Sequence, residues 1–251
     1  MSFNLPDLLG VATGIRQGRN INEGYQRGWG IQYGGLKELI LSDPLFQDAF
    51  AVAQDRTIMS QENRMNIFLL LRFFLSRLDS GHIVEYGSYR GGNAIFMAYI
   101  AKRLYPRMKV YALDSFEGMP HTNKNIDAHN VGDFADVDFE ELKERIVELK
   151  LDNLVLVKGF FESTNDAVMK MAKAVSLAHI DCDIATSVKY SYEGVKPFKV
   201  DGGYIVFDDA TVSSCIGATE VVEDVLIRQD RLNSEQIWPH YVFRAFKNAK
   251  L

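Results

Sequence analysis

From residue 82 onward, short apolar runs of the sequence alternate with longer amphipathic segments. The runs are rich in Val, Ile and Tyr, which favour β-strands, and their continuous apolar character is typical of strands buried on both faces. The predicted strands are 82–87, 109–114, 154–159, 176–181 and 203–209. The helices predicted between and after them are 92–104, 138–150, 164–174, 186–196 and 216–229. Strict alternation of strand and helix predicts a doubly wound α/β fold with a parallel sheet.

Both ends of the chain depart from this alternation. Residues 241–247 alternate apolar and polar side chains, and we expect them to form an antiparallel strand at the edge of the sheet. Residues 36–54 and 61–78 carry apolar side chains at helical spacing. The preceding segment is rich in Gly, Asn, Gln and Arg, which suits an arm that either reaches a partner subunit or lies on its own subunit. We therefore predict a helical N-terminal extension over residues 1–56 and one main domain over residues 57–251.

The composition is that of an ordinary globular protein, since 47% of its 251 residues are hydrophobic and 24% are charged. A net charge of −5 and a pI of about 5.6 argue against binding to the phosphate backbone of nucleic acids. The longest apolar stretch, Ile67 to Leu75, is interrupted by Arg72, and the N-terminus does not resemble a signal peptide. Two cysteines, Cys182 and Cys215, are too few for a disulfide framework. We therefore expect a cytoplasmic protein with reduced thiols and no membrane partner.

A glycine-rich turn follows the first predicted strand, with the sequence EYGSYRGGN from Glu85 to Asn93. Its spacing, G-x-x-x-G-G, differs from the G-x-G-x-x-G of dinucleotide-binding folds. Glu85 would repel a pyrophosphate, whereas it suits a ligand with a positive amine and no phosphate, such as S-adenosylmethionine. The turn either holds such a cofactor or has only a structural role.

The next two strand ends carry candidate contacts for the rest of such a cofactor. Asp114 ends the second strand, where an acidic residue can accept hydrogen bonds from both ribose hydroxyls. The alternative is that Asp114 only caps its own loop. Phe160 follows the third strand and either packs on an adenine ring or belongs to the core.

Four aspartates follow the fourth and fifth predicted strands, namely Asp181, Asp183, Asp208 and Asp209. We expect these strands to be neighbours, so that the four carboxylates converge on the carboxyl edge of the sheet. Unpaired carboxylates would repel one another, and either a divalent cation or nearby Lys and Arg side chains would have to neutralise them. Ligation by oxygen alone favours Mg²⁺, Ca²⁺ or Mn²⁺ over Zn²⁺.

Six strings of the sequence together resemble the macrocin- and novobiocin-type sugar O-methyltransferases, which are class I, metal-dependent enzymes that use S-adenosylmethionine. The strings are YGSYRGG, LDSFEGMP, KGFFEST, HIDCD with a following Thr-Ser, GGYIVFDD and CIGA. They run in register with the family from about residue 57 to 229. The resemblance implies a Rossmann-like, mostly parallel seven-stranded sheet and a homo-oligomer. It also implies Mg²⁺ or another hard divalent cation, S-adenosylmethionine and a small-molecule acceptor that contains a sugar.

The resemblance also assigns roles to individual residues. It implies that Asp183 is the general base and that residues 121–136 form a mobile lid over the substrate. The implied Mg²⁺ ligands are Asp181, Asp208 and Asp209. The implied contacts to S-adenosylmethionine are Glu85, Tyr86, Gly87, Ser88, Arg90, Asn93, Asp114, Ser115, Phe160 and Asp181. The chain departs from the family pattern at Cys182 and over residues 184–187, which leaves the identity of the acceptor open.

The chemistry that follows is methyl transfer to a sugar hydroxyl. A cation lowers the pKa of the hydroxyl and orients it, and Asp183 takes its proton. The histidines of the predicted lid and of the last loop, His121, His129 and His240, are less attractive bases, and we expect them to be structural.

Two other functions stay open on the sequence alone. The string Asp181-Cys182-Asp183 is a D-x-D pattern after an apolar strand, as in metal-dependent glycosyltransferases, although that function leaves the glycine turn and the Asp208-Asp209 pair unexplained. The chain could instead be a non-catalytic scaffold member of its fold, although such a protein would be free to lose the four acids that are present here.

Overall fold

The structure, a computed structural model, describes residues 35–78 and 81–245. The strands are β1 (His82–Tyr86), β2 (Val110–Asp114), β3 (Leu154–Lys158), β4 (Val175–Ile180), β5 (Lys199–Phe207), β6 (Ser234–Gln236) and β7 (Tyr241–Ala245). The helices are α1 (Gly35–Leu41), α2 (Pro44–Ala53), α3 (Gln61–Leu69), α4 (Gly92–Leu104), α5 (Phe139–Glu148), α6 (Phe161–Ala172), α7 (Ala185–Val195) and α8 (Ile216–Val221). Wider π-helical turns extend α3 over Leu70–Phe74 and α8 over Val222–Gln229.

The seven strands form one mixed sheet in the order β3-β2-β1-β4-β5-β7-β6. Strands β1 to β5 are parallel, whereas β7 runs antiparallel to both β5 and β6. This confirms the prediction of a doubly wound, mostly parallel seven-stranded sheet. The order of the strands reverses at β1, which pairs with β2 on one side and β4 on the other, so a crevice opens at the carboxyl ends of these strands.

The last strand does not occupy the position in the sheet that the sequence predicted. It is antiparallel, as predicted, but the expectation that residues 241–247 form the edge of the sheet is wrong, because β6 pairs along its outer side. The edge strand β6 has the sequence Ser-Glu-Gln, which has no apolar residue and therefore no alternation to detect. Residues 246 and 247 of the predicted strand lie outside the described residues.

The long helix predicted over residues 36–54 is two helices in the structure. Pro44 occupies the first turn of α2, and its nitrogen has no hydrogen to donate, so a continuous helix cannot pass through this position. Asp43 caps the new helix, and its side chain accepts a hydrogen bond of 2.8 Å from the backbone nitrogen of Leu45. An N-cap followed by proline is a sequence signal for this break.

The described part of the predicted extension packs into one of two apolar layers that cover the sheet. Phe46 of α2 is buried and contacts the rings of Phe68 and Phe96 edge-on, with centroids 5.4 and 5.9 Å apart. Residues 1–34 lie outside the described residues, so the arm, its role in a homo-oligomer and the domain boundary after residue 56 stay predictions.

Two further expectations from the sequence bear on the whole chain. Over residues 35–78 and 81–245, none of the helices is both long enough and apolar enough to cross a bilayer. Cys182 and Cys215 are both buried free thiols.

Candidate functional site

A cavity of about 610 Å³ opens at the carboxyl edge of the sheet, where the ends of β1, β4 and β5 meet. Most of the site residues expected from the sequence line it. They are Glu85, Gly87, Ser88, Asn93, Asp114, Ser115, Phe160, Asp181, Asp183, Asp208 and Asp209. The other two expected residues, Tyr86 and Arg90, do not line this cavity. The doubly wound topology therefore brings together residues from strand ends that are far apart in the sequence.

The turn after β1 depends on Gly87. Its φ of +85° lies in the left-handed region, and a β-carbon at this position would stand 1.7 Å from the backbone oxygen of Asp181. Only glycine fits this approach, because the backbone of the turn packs directly against the residue that follows β4. The turn thereby places β1 and the acids after β4 at the same wall of the cavity.

Asp114 organises this turn from the end of β2. Its Oδ2 accepts hydrogen bonds of 2.8 Å from the backbone nitrogens of Ser88 and Tyr89, and its Oδ1 accepts one of 2.7 Å from Phe116. Burial raises the pKa of Asp114, although these backbone hydrogen bonds oppose the shift. The structure thus shows the loop role that was the alternative for Asp114, and its expected contact with a ribose stays a prediction.

Glu85 lies fully buried beneath the turn. Ser88 Oγ donates a hydrogen bond of 2.8 Å to its Oε2, and Asn93 Nδ2 donates one of 2.7 Å to its Oε1. His179 Nδ1 lies 3.5 Å from Oε1. Since the carboxylate already has these partners, it supports the turn from below, and Ser88 and Asn93 beside it line the cavity.

Tyr86 and Arg90 have polar partners outside the set of residues that lines the cavity. The Tyr86 hydroxyl donates a hydrogen bond of 2.6 Å to Asn165 Oδ1, and its ring packs edge-on against Phe161. The exposed Arg90 guanidinium forms an ion pair with Asp136. Neither residue lines the cavity, and their contact with a cofactor stays a prediction.

Phe160 and Ser115 face the cavity from the ends of β3 and β2. Phe160 is 45% exposed, so the alternative that it belongs to the core is wrong. Ser115 Oγ donates a hydrogen bond of 2.7 Å to the backbone oxygen of Gly118. An exposed ring at the end of β3 leaves the expected contact with an adenine sterically open.

Three of the four aspartates form one compact group. Asp208 follows β5, and its backbone nitrogen donates a hydrogen bond of 3.0 Å to the oxygen of Ile180 at the end of β4. This pairing places Asp181 beside Asp208 and Asp209, and one carboxylate oxygen from each lies within 4.8 Å of the others. The sequence prediction that neighbouring strands bring these three acids together is confirmed in its geometry.

The charges of this group are not balanced by Lys or Arg side chains. Among the described residues, no Lys or Arg forms an ion pair with any of the three carboxylates. Burial and repulsion by Asp208 and the neighbouring acids raise the pKa of Asp181 well above its usual range, and burial raises the pKa of Asp209 in the same way. Three oxygen ligands with a deficit of positive charge fit a hard divalent cation.

Asp208 has polar partners that the sequence did not indicate. Asn63 Nδ2 donates a hydrogen bond of 2.8 Å to Asp208 Oδ1, His240 Nε2 lies 2.7 Å from the same oxygen, and His179 Nε2 lies 3.7 Å from it. Burial acts to raise the pKa of Asp208, but the two histidines outweigh it and hold that pKa well below its usual range. Burial alone would lower the pKa of His179, whereas Asp208 and Glu85 raise it to about 9.

Asp183 points into a neighbouring group of side chains. Its backbone nitrogen donates a hydrogen bond of 2.8 Å to Asp209 Oδ2, but its carboxylate Oδ1 lies 3.4 Å from His129 Nε2 and 3.5 Å from Cys215 Sγ. Burial raises the pKa of Asp183, and His129 and Cys215 partly oppose this. The fourth aspartate is therefore adjacent to the other three, with different partners.

Two of the three histidines that we expected to be structural contact the candidate site. His121 is exposed and does not line the cavity, and its expected structural role stays a prediction. His129 and His240, which were also expected to be structural, instead contact the site aspartates Asp183 and Asp208. No local pattern could reveal these contacts, because they join loops whose relative position is set by the sheet.

The predicted lid, residues 121–136, is an irregular segment over the cavity. It is tied down by the buried Asp127, whose Oδ1 accepts a hydrogen bond of 2.9 Å from the nitrogen of Ala185 at the start of α7. Gly217 leaves room for that carboxylate, because a β-carbon there would stand 2.5 Å from Asp127 Oδ1. Whether the segment moves as a lid stays a prediction.

Comparison with known proteins gives consistent matches. The family model described as Macrocin-O-methyltransferase (TylF) matches residues 63–231. A tetracenomycin-C derivative 4'-O-methyltransferase from Streptomyces olivaceus, whose substrate carries a 2,3-dimethoxy-rhamnosyl group, is 28% identical over 145 residues. The match covers 54% of this chain and 55% of that protein, so the chain spans about half the length of this curated relative.

Solved structures share the fold. The calicheamicin methyltransferase CalS11 superposes with a TM-score of 0.62 at 19% identity, covering 83% of this chain and 89% of that chain. The O-methyltransferase NovP superposes with a TM-score of 0.63 at 20% identity, covering 76% of this chain and 83% of that chain. Both support the class I methyltransferase fold, and at this identity they support the fold alone.

Proposed function

The chain belongs to the Macrocin-O-methyltransferase (TylF) family, and we propose that it transfers a methyl group from S-adenosylmethionine to a hydroxyl of a sugar or glycosylated natural product. The resemblance seen in the sequence is thereby confirmed at the level of the family. One observation carries the proposal: a single cavity joins the glycine turn after β1 to three convergent aspartates at the ends of β4 and β5.

The cofactor would lie against the turn after β1. Gly87, Ser88 and Asn93 line this part of the cavity, and Phe160 offers an exposed ring at its margin. S-adenosylmethionine supplies an activated methyl group on a positively charged sulfur. Glu85 lies buried under the turn, and an acidic residue there suits a ligand with a positive amine better than one with a phosphate.

The cation would be held by Asp181, Asp208 and Asp209. Mg²⁺, when bound, lowers the pKa of an acceptor hydroxyl and fixes its orientation. The histidines beside Asp208 hold its carboxylate ionised, and Asn63 fixes one of its oxygens. These neighbours prepare one ligand before any ion arrives.

The proton of the acceptor hydroxyl would pass to Asp183. The hydroxyl oxygen forms a bond to the methyl carbon while the carbon–sulfur bond breaks, so one proton must leave the oxygen. Asp183 lines the same cavity as the three aspartates, and its backbone nitrogen is hydrogen-bonded to Asp209. The Asp183 carboxylate would therefore lie next to the three aspartates that would hold the cation.

The two alternatives have less support. Asp181 and Asp183 fall into different ligand groups, so the Asp-x-Asp string does not form one metal site of the glycosyltransferase kind. A scaffold member of the fold would not require the open cavity and the acids that the chain has.

A homo-oligomer and a cytoplasmic location stay predictions.

Calorimetry separates these functions. We expect S-adenosylhomocysteine to bind the wild-type protein and nucleoside diphosphates not to bind it. Methyl transfer is then measured with a panel of sugar-containing acceptors, with Mg²⁺ and with a chelator. Binding of the nucleoside diphosphate alone would favour the glycosyltransferase, and cofactor binding without transfer to any acceptor would favour the scaffold.

A further inference from the structure

A second group of metal-binding side chains lies beside the three aspartates. It consists of His129 from the segment over the cavity, Asp183 after β4, and Cys215 before α8. His129 Nε2 and Asp183 Oδ1 are 3.4 Å apart, Cys215 Sγ and Asp183 Oδ1 are 3.5 Å apart, and Cys215 Sγ and His129 Nε2 are 3.6 Å apart. Nitrogen, oxygen and sulfur donors thus form a nearly equilateral triangle.

The size of this triangle matches one face of a tetrahedral zinc site. Bonds of about 2.3 Å to sulfur and about 2.05 Å to nitrogen or oxygen place the donors about 3.4 Å apart for N to O and about 3.6 Å apart for S to either. The three measured separations agree with these values to within about 0.1 Å. An ion could therefore bind without a large movement of any of the three side chains.

The surroundings of His129 also suit a metal ligand. Its other ring nitrogen, Nδ1, lies 3.6 Å from Asp133 Oδ2, longer than a hydrogen bond but within ion-pair distance, so a negative charge stands behind the imidazole. Cys215 is 1% exposed, whereas the side chains of His129 and Asp183 are each about one fifth exposed. All three line the cavity, so a fourth ligand position faces the space in which an acceptor would bind.

We propose that His129, Asp183 and Cys215 form a separate site for Zn²⁺ or a chemically similar borderline cation. The mixed N, O and S donor set distinguishes it from the three aspartates, which offer oxygen only and suit Mg²⁺. Binding converts the Cys215 thiol to a metal-bound thiolate, and the proton passes to solvent.

This site would share a residue with the proposed chemistry. An ion on Asp183 occupies the carboxylate that would take the acceptor proton, so Zn²⁺ inhibits methyl transfer even when Mg²⁺ saturates the three aspartates. That consequence rests on the proposed function, whereas binding of the ion does not.

Binding is tested with Co²⁺, which gives a near-ultraviolet charge-transfer band when a thiolate binds it. The full-length protein, free of any affinity tag and saturated with Mg²⁺, receives an equimolar amount of Co²⁺. Because the chain has two cysteines, Cys182→Ser is a matched control for Cys215→Ser. We expect the band in the wild type and in Cys182→Ser and its loss in Cys215→Ser. A wild type without the band, or a band that survives in Cys215→Ser, would overturn the proposal.

A second variant keeps the test decisive if Cys215→Ser does not fold. Asp133→Asn leaves all three ligands in place and removes only the charge behind His129. We expect its affinity for Co²⁺ to fall by roughly 10- to 100-fold. An unchanged affinity would contradict the assignment of His129.

The inhibition assay separates the two proposals. Zn²⁺ should stop methyl transfer by the wild type at a concentration at which an equal addition of Ca²⁺ has no effect. If the Co²⁺ band is present but no methyl transfer occurs under any condition, the metal site stands and the proposed function fails. If Zn²⁺ binds Cys215 and turnover is unchanged, Asp183 is not the base.

Discussion

Backbone conformation at two residues positions the chemistry of this site. Asp183 has a φ of +58°, a left-handed conformation that Asp tolerates better than most residues, and this turns the chain between β4 and α7. Gly87, at the end of the neighbouring strand β1, has no room for a side chain because the backbone of Asp181 lies against it. The sequence indicated both residues as candidates for the site. It did not indicate that the Asp183 carboxylate lies against His129 and Cys215.

Removing the charge of Asp183 tests its role as a base. Asp183→Asn keeps the size of the side chain, so we expect affinity for S-adenosylhomocysteine to stay nearly unchanged while turnover falls by roughly 10²-fold or more. Steady-state rates and calorimetry give the two values. Asp224→Asn, an exposed carboxylate that does not line the cavity, is the control. Equal turnover in Asp183→Asn and the wild type would remove Asp183 from the mechanism.

Two glycines with similar backbone angles allow the effect of backbone strain to be separated from the effect of steric overlap. Gly87 and Gly132 have φ of +85° and +84°, but a β-carbon at Gly132 would meet nothing within 4 Å. We expect Gly132→Ala to lower the free energy of unfolding by about 1 kcal/mol from backbone strain alone. We expect Gly87→Ala to lower the free energy of unfolding by about 3 kcal/mol or more, because the backbone of Asp181 must also move. Urea unfolding measures both, and similar losses would contradict the close approach at Gly87.

At the scale of elements, the segment over the cavity is joined to the helix that follows Asp183. Asp127 binds the first backbone nitrogen of α7, which begins two residues after Asp183. Negative charge is favourable at this end of a helix. The segment and the turn that carries Asp183 therefore share one anchor, so movement of the segment and the position of the carboxylate should be coupled.

Asp127→Ala tests this coupling. The variant leaves the Ala185 nitrogen without a partner, so we expect a loss of about 1–3 kcal/mol in the free energy of unfolding. Hydrogen exchange should become faster across residues 121–136 and at the start of α7. Asn125→Ala, at an exposed position of the same segment, is the control and should change neither. If exchange accelerates in the segment but not at α7, the anchor does not couple them.

At the scale of the whole molecule, strand order decides which charges meet. The order β1-β4-β5-β7 brings Asp208 beside Asp181 on one side and His240, in the loop before β7, on the other. The alternation of strands and helices was enough to predict a parallel sheet, in which we expected β4 and β5 to be neighbours. It was not enough to place β7 inside the sheet, since the three-residue strand β6 gave no apolar signal. The contact of His240 with Asp208 went unforeseen because it joins two loops whose relative position is set by the sheet.

Adding a cation should stabilise the folded protein, because it relieves repulsion among Asp181, Asp208 and Asp209. Mg²⁺ at 100 times its Kd should raise the free energy of unfolding by about 2.7 kcal/mol. For a chain of this size, that corresponds to a rise in Tm of roughly 5–10 °C. A chelator should reverse the rise. Asp209→Asn removes one ligand charge and should abolish most of it, whereas Asp224→Asn should not. The same rise in Asp209→Asn would place the cation elsewhere.

The doubly wound sheet, the strand ends that line the cavity and the acids found there could all be predicted from the amino-acid sequence. These follow from local periodicity and from residue types that lie close together in the chain. The folded structure was needed to show that Tyr86 and Arg90 do not line the cavity, that His129 and His240 contact the aspartates, and that the Asp183 carboxylate lies against Cys215. Loop and side-chain directions depend on contacts between segments far apart in the chain, and no local pattern records those contacts.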